Sequence, residues 1–120
     1  MRIQFIIFLM SLTLLGADQQ YDRGEQLYFE KGCNGCHGTK AEGMNTYPAL
    51  ANRAKGFMEY KLRRFRDEIS DKQIQEMMIP FAKELSDQQI DDLVYFLYHY
   101  HDTQTERYDI DFEQEGDGGS

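Results

Sequence analysis

Residues 33–37 read Cys33-Asn34-Gly35-Cys36-His37, followed by Gly38. Two thiols three positions apart, with an imidazole directly after the second, form the C-x-x-C-H pattern of covalent haem attachment. Each thiol adds to one vinyl group of a single porphyrin, and the next residue then lies beneath the iron as an axial ligand. Cys33 and Cys36 are the only cysteines in the 120 residues, so the motif accounts for both. A thioredoxin-like dithiol would want strand–helix–strand surroundings, which are not found here. Zinc needs about four ligands, and the chain has no second C-x-x-C and no H-x-x-x-H pair. A disulfide within the motif would close too small a loop to stabilise much. One covalently bound haem c is the expected cofactor.

The N-terminus fits export. Met1 and Arg2 give a short positive start, and Ile3 to Leu15 form an apolar run interrupted by Gln4, Ser11 and Thr13. Gly16-Ala17 supplies small residues for cleavage ahead of polar Asp18-Gln19-Gln20, so residues 1–17 read as a secretory signal peptide. The run falls short of the ~20 apolar residues that span a bilayer, with an uncleaved anchor as the alternative. Without a cysteine at the cleavage point, a lipid anchor is not expected there. The expected location is the periplasm, since bacterial c-type haem is attached outside the cytoplasm.

Residues 18–101 then make one small domain, and such a core is marginal unless something large and apolar joins it. The whole chain carries a net charge of −8; losing Arg2 leaves 12 basic against 21 acidic residues, or −9. Nucleic acid is a poor partner for such a surface, and redox proteins with a basic docking face are the expected ones. Asp102 to Ser120 hold seven acids and one base and end in Gly116-Asp117-Gly118-Gly119-Ser120. Residues 102–120 read as a solvated, disordered acidic tail, either an electrostatic lure or a solubility device.

Helical periods dominate and no stretch alternates like a strand, so the expected fold class is all-α. Tyr21 to Lys31 reads as a first helix stopped by Gly32, and Gly38 to Pro48 as a loop. About Lys55 to Glu68 reads as a second helix, with Phe57, Met58, Leu62 and Phe65 apolar. Ser70-Asp71-Lys72-Gln73 has the form of a capping box opening a short third helix, and Ser86-Asp87-Gln88-Gln89 of another opening the last. Ile90, Leu93, Val94 and Leu97 give that last helix one apolar face. Gly24 and Tyr28, one turn apart, leave room for Phe96, so the terminal helices are expected to cross and clamp the cysteine-bearing segment.

The sixth ligand decides the chemistry. A thioether raises the potential and closes the iron, whereas an empty position admits gas or peroxide. Candidates are Met44, Met58, Met77, Met78, His99 and His101. Met44 is close to the motif in sequence, Met58 lies on an apolar helix face, and the two histidines end the last helix. Met77 and Met78 follow His37 by 40 and 41 residues, on a short helix broken by Pro80.

From Gly24 to His99 the chain resembles bacterial class I cytochromes c, most closely small monohaem cytochrome c553 and cytochrome c4-type domains. The resemblance is carried by Gly24-x-x-x-Tyr28, the cysteine motif, Tyr47-Pro48-Ala49-Leu50, and Phe57-Met58-x-x-Lys61-Leu62-x-x-Phe65-Arg66. Met78-x-x-x-Ala82-Lys83-x-Leu85-Ser86-Asp87-x-x-Ile90 completes it. It implies about four helices wrapped around one haem, ligated by His37 and by the methionine seven positions before the Leu of Leu-Ser-Asp. That methionine is Met78, with Met77 the runner-up. It also implies that the Pro48 carbonyl accepts a hydrogen bond from the His37 imidazole. Lys61 stands where the family often has Gln and Phe57 where Tyr is common, and the acidic tail is extra.

Arg53, Lys55, Lys61, Arg63, Arg64 and Arg66 make the second-helix region basic, with Glu59 opposing. This run reads as a solvated helix face, or as a contact for a haem propionate or an acidic partner. The expected function is one-electron transport rather than catalysis, because no general base, nucleophile or substrate pocket is evident. An electron-accepting subunit of a periplasmic oxidoreductase, for example in sulfur-compound oxidation, is the alternative. A haem sensor or peroxidase-like protein is the third.

Overall fold

Gly24 has no side chain, and a helix can therefore lie directly against it. In the computed structural model, which describes residues 14–102, the last helix does so. Helix α1 (Leu14–Glu30) crosses α5 (Asp87–Tyr98) at this point. A Cβ on Gly24 would stand 2.0 Å from the Asp92 carbonyl oxygen and 2.6 Å from Phe96 Cβ, so the crossing admits only glycine. Tyr28, one turn on, is fully buried and packs on Phe96 with ring centroids 5.6 Å apart. Between them lie α2 (Asn34–His37), α3 (Lys55–Arg66), a 3₁₀ run (Gln73–Met78) and α4 (Ile79–Ala82). No strand occurs among the described residues, only an isolated bridge between Met44 and Tyr47.

The expected boundaries shift at both ends. α1 begins at Leu14, seven positions before Tyr21, and runs through Gly16-Ala17. α3 stops at Arg66. The part of the expected signal segment before Leu14 and the expected tail beyond Asp102 lie outside the described residues.

α5 starts as its sequence requires. Ser86 Oγ accepts from the Gln89 amide at 3.1 Å, and Gln89 Oε1 accepts from the Ser86 amide at 3.0 Å. Ile90, Leu93, Val94 and Leu97 are all buried, as their spacing predicts. Its C-terminus is tied to the central loop by Asn52. The Asn52 amide donates to the Leu97 carbonyl at 2.7 Å, and its side chain donates to Tyr98 and Tyr100 carbonyls.

The capping box expected at Ser70 is not formed. The segment begins instead at extended Lys72 without a side-chain cap and winds as 3₁₀ from Gln73 to Met78. Asp71 is committed elsewhere, to Lys61 and Arg64 of α3. Pro80 sits in the first turn of α4, where its missing N–H costs nothing, but its ring would not tolerate an α-helix continuing from Glu76.

The basic run of α3 is not a free solvated face. Arg63 and Arg66 both reach Asp87 Oδ1 at 2.7 Å, at the start of α5, and Arg66 also donates to the Leu85 carbonyl. Together with the Asp71 contacts, these pairs tie α3 to the two segments that follow it.

Candidate haem-binding site

Helix α1 ends in a Schellman turn that aims the cysteine motif. Gly32 adopts φ +76°, its amide bonds the Phe29 carbonyl at 3.1 Å, and the Cys33 amide bonds the Tyr28 carbonyl at 3.0 Å. α2 is one turn long, closed by the His37 amide on the Cys33 carbonyl at 2.9 Å. One helical turn places positions 33, 36 and 37 on adjoining faces, and all three side chains line the same cavity of about 410 Å³. The Tyr28 hydroxyl donates to the Gly38 carbonyl at 2.6 Å and so fixes the far end of the turn.

His37 is buried, 6 % exposed. Its Nδ1 lies 2.8 Å from the Pro48 carbonyl oxygen, which can only accept, so Nδ1 carries a proton and Nε2 is the nitrogen left to ligate. The loop reaches that position by turning back on itself. Gly43, at φ +79°, donates to the His37 carbonyl at 2.8 Å, and Met44 and Tyr47 exchange backbone hydrogen bonds.

Cys33 and Cys36 are both partly buried, and no disulfide joins them. Burial pushes the Cys33 thiol up to about 11. A redox dithiol has the opposite property, a depressed thiol pKa.

Most of the remaining wall is apolar, with Tyr28, Leu50, Met58, Leu62, Phe65 and Leu97 among its residues. At its mouth Phe57, Ile74, Met77 and Phe81 are each between 45 and 56 % exposed. Arg53, Lys61 and Lys72 are the charged lining residues, with no carboxylate among them. Arg53 lies over the Phe57 ring at 5.1 Å.

Of the expected axial candidates, Met77 and Met78 both line the cavity, and they differ in burial. Met77 is 45 % exposed, whereas Met78 is half-buried and packed against the core. Met58 is a buried wall residue of α3, and Met44 is exposed outside the cavity. Neither histidine of the last segment reaches it. His101 stacks on Tyr21 with centroids 4.8 Å apart, and His99 packs on Tyr95 at 4.4 Å.

A feature absent from the sequence reading is Asp92. It is 2 % exposed, yet accepts from Arg23 Nε at 3.0 Å and from Gln88 at 2.9 Å. It stands one turn before Phe96 on the crossing face, and that register was the available signal. Its part is to lock α1 on α5, away from the cavity.

The residues fit a covalently held haem on three counts. Two thiols and an imidazole open onto one space, apolar rings wall most of it, and its lining includes Arg53 and Lys72 but no carboxylate. The Cytochrome c family profile matches residues 21–100, which is two-thirds of the chain and nearly all of the described domain. The chain belongs to the cytochrome c family: an all-α class I c-type cytochrome that binds haem c covalently and serves haem-based electron transfer. No curated protein sequence matches it.

Proposed function

We propose that the protein is an exported, periplasmic monohaem cytochrome that carries single electrons between redox partners. In this reading Cys33 and Cys36 hold the porphyrin through thioether bonds, His37 Nε2 is the proximal ligand and Met78 the distal one. The observation that carries it is the His37 Nδ1 contact with Pro48, in a cavity shared with both thiols and a half-buried methionine.

Haem c supplies a one-electron Fe(III)/Fe(II) couple when bound. The chain keeps that couple in place. Pro48 fixes the tautomer and plane of the His37 ring, raising the basicity of Nε2. Tyr28 and the Schellman turn fix the backbone on both sides of the motif. The aromatic and aliphatic walls exclude water and favour a soft thioether at the sixth position. A fixed ligand pair changes little between oxidation states.

The net negative charge favours partners with a basic docking face at long range. Contact at the mouth is apolar, through Phe57, Ile74, Met77 and Phe81. That rim is also the specific observation favouring the second reading, an electron-accepting subunit that buries its rim against a larger oxidoreductase. Stable co-purification of the holoprotein with such a chain would select it.

A spectroelectrochemical titration of the haem-loaded protein tests the proposal. Reversible one-electron behaviour, with a reduced spectrum unchanged by carbon monoxide, is the expected result. Prompt formation of a carbonyl adduct would move sensing or peroxidase-like chemistry to the front.

A further inference from the structure

Lys61 lines the cavity, yet its ammonium is directed at the chain itself. Nζ lies 2.9 Å from Asp71 Oδ2, donates to Gln75 Oε1 at 3.0 Å and sits over the Phe65 ring at 5.3 Å. Its side chain is only 16 % exposed. Arg64, three residues on along α3, takes the other oxygen of the same carboxylate at 2.6 Å.

The segment so gripped is the one that carries the two methionines. In a 3₁₀ run three residues make one turn, so Gln75 and Met78 share a face while Met77 does not. The run has no side-chain cap and no fully buried residue of its own. Among the described residues, every side-chain hydrogen bond that joins residues 70–78 to another element comes from Lys61 or Arg64. Ordinary surface ion pairs contribute little, and Asp71 is half exposed, but the Lys61 ammonium is itself largely shielded and bridges two acceptors.

We propose that Lys61, by bridging Asp71 and Gln75, is the positioning residue that keeps Met78 at the sixth position of the iron. It thereby controls how readily that position opens to an outside ligand. The inference rests on the reading of Met78 as the distal ligand.

The test uses the haem-loaded full chain and carbon monoxide as the probe. Four variants are compared with the unaltered protein: Lys61→Met, Lys61→Arg, Gln75→Leu and Met78→Ala. Carbon monoxide uptake by the ferrous form, the ferric sulfur-to-iron charge-transfer band and the thermal midpoint are read in each. Losing a charge-assisted hydrogen bond should speed uptake on the order of tenfold in Lys61→Met and less in Gln75→Leu, with a weakened band. Lys61→Arg should restore slow uptake, because a guanidinium can span the same two acceptors.

Unaltered uptake and band in both Lys61→Met and Gln75→Leu, whatever happens to the thermal midpoint, would overturn the inference while leaving the ligand reading intact. Should Lys61→Met fail to accumulate, Gln75→Leu decides alone. If Met78→Ala remains as closed as the parent, the ligand reading fails and the inference fails with it.

Discussion

The crossing of α1 on α5 and the wall formed by α3, the 3₁₀ run and α4 are built on different terms. At the crossing, Gly24 admits the Asp92–Phe96 turn to backbone contact, Tyr28 and Phe96 are buried, and the ion pair of Arg23 with Asp92 fixes the register. Nothing further is needed to complete that interface. Along the other wall Phe57, Ile74, Met77 and Phe81 remain about half exposed around the cavity, and side-chain hydrogen bonds to α3 hold the 3₁₀ run. One half of the domain packs against itself, and the other packs against a cofactor.

The comparison breaks most severely if the attachment is removed. Cys33→Ser with Cys36→Ser should abolish covalent haem, read as a cofactor that acid–organic extraction strips from the chain. The cavity wall should lose protection in amide exchange well before the crossing does. Equal loss in both halves would contradict the division drawn here.

Gly24→Ala attacks the other half. Its Cβ would meet backbone oxygen, which cannot rotate away, so the crossing must part. A cost of about 3 kcal/mol is expected in denaturant unfolding of the holoprotein, at the upper end for overpacking. A neutral result would show that the crossing is looser than its contacts indicate.

These two sites also show what the sequence made legible. The cysteine motif, the Gly32 stop, the α5 cap and the Gly24–Phe96 approach are local patterns whose geometry follows from residue type and spacing. The Ser70 capping box was as clear on paper and did not form. Its competitors are distant in sequence: Lys61 and Arg64 engage Asp71, and Pro80 bars a continuous helix. Periodicity likewise makes Asp92 one of several acids on α5, and only the partner helix reveals that it faces inward. The basic run of α3 was visible as charge, but its acceptors on Asp71 and Asp87 were not. Met77 and Met78 are adjacent, so spacing alone separates them poorly; burial separates them.

Tyr28→Phe sharpens the link between the halves, since its hydroxyl joins the crossing to the haem turn. Deleting the oxygen leaves the buried Gly38 carbonyl with the Ala41 amide, at 3.2 Å, as its remaining donor, and about 1 kcal/mol of stability should go with it. The potential should shift in the same variant if the turn also sets the His37 ring. An unchanged midpoint would place Tyr28 among the simple core residues.

The smallest expected effect is electrostatic. Hydrogen bonds from Arg66, then Arg63, hold the Asp87 carboxyl below the usual carboxylate range, and Lys61, then Arg64, do the same for Asp71. Their stabilisation is full above the unfolded-state carboxylate value and is lost as pH falls through the lowered one. Both groups are largely solvated, so the slope should be shallow. Asp87→Asn should flatten the acid limb of thermal stability, and an identical limb would remove the pair from the account.

The central claim is that Met78, not its neighbour, closes the iron. Proton NMR of the reduced holoprotein reads this directly, because a ligand methyl group lies within the porphyrin ring current and resonates far upfield. One such methyl signal, kept in Met77→Ala and abolished in Met78→Ala, is the predicted result. A signal lost with Met77→Ala instead, or none at all in the parent protein, would contradict it.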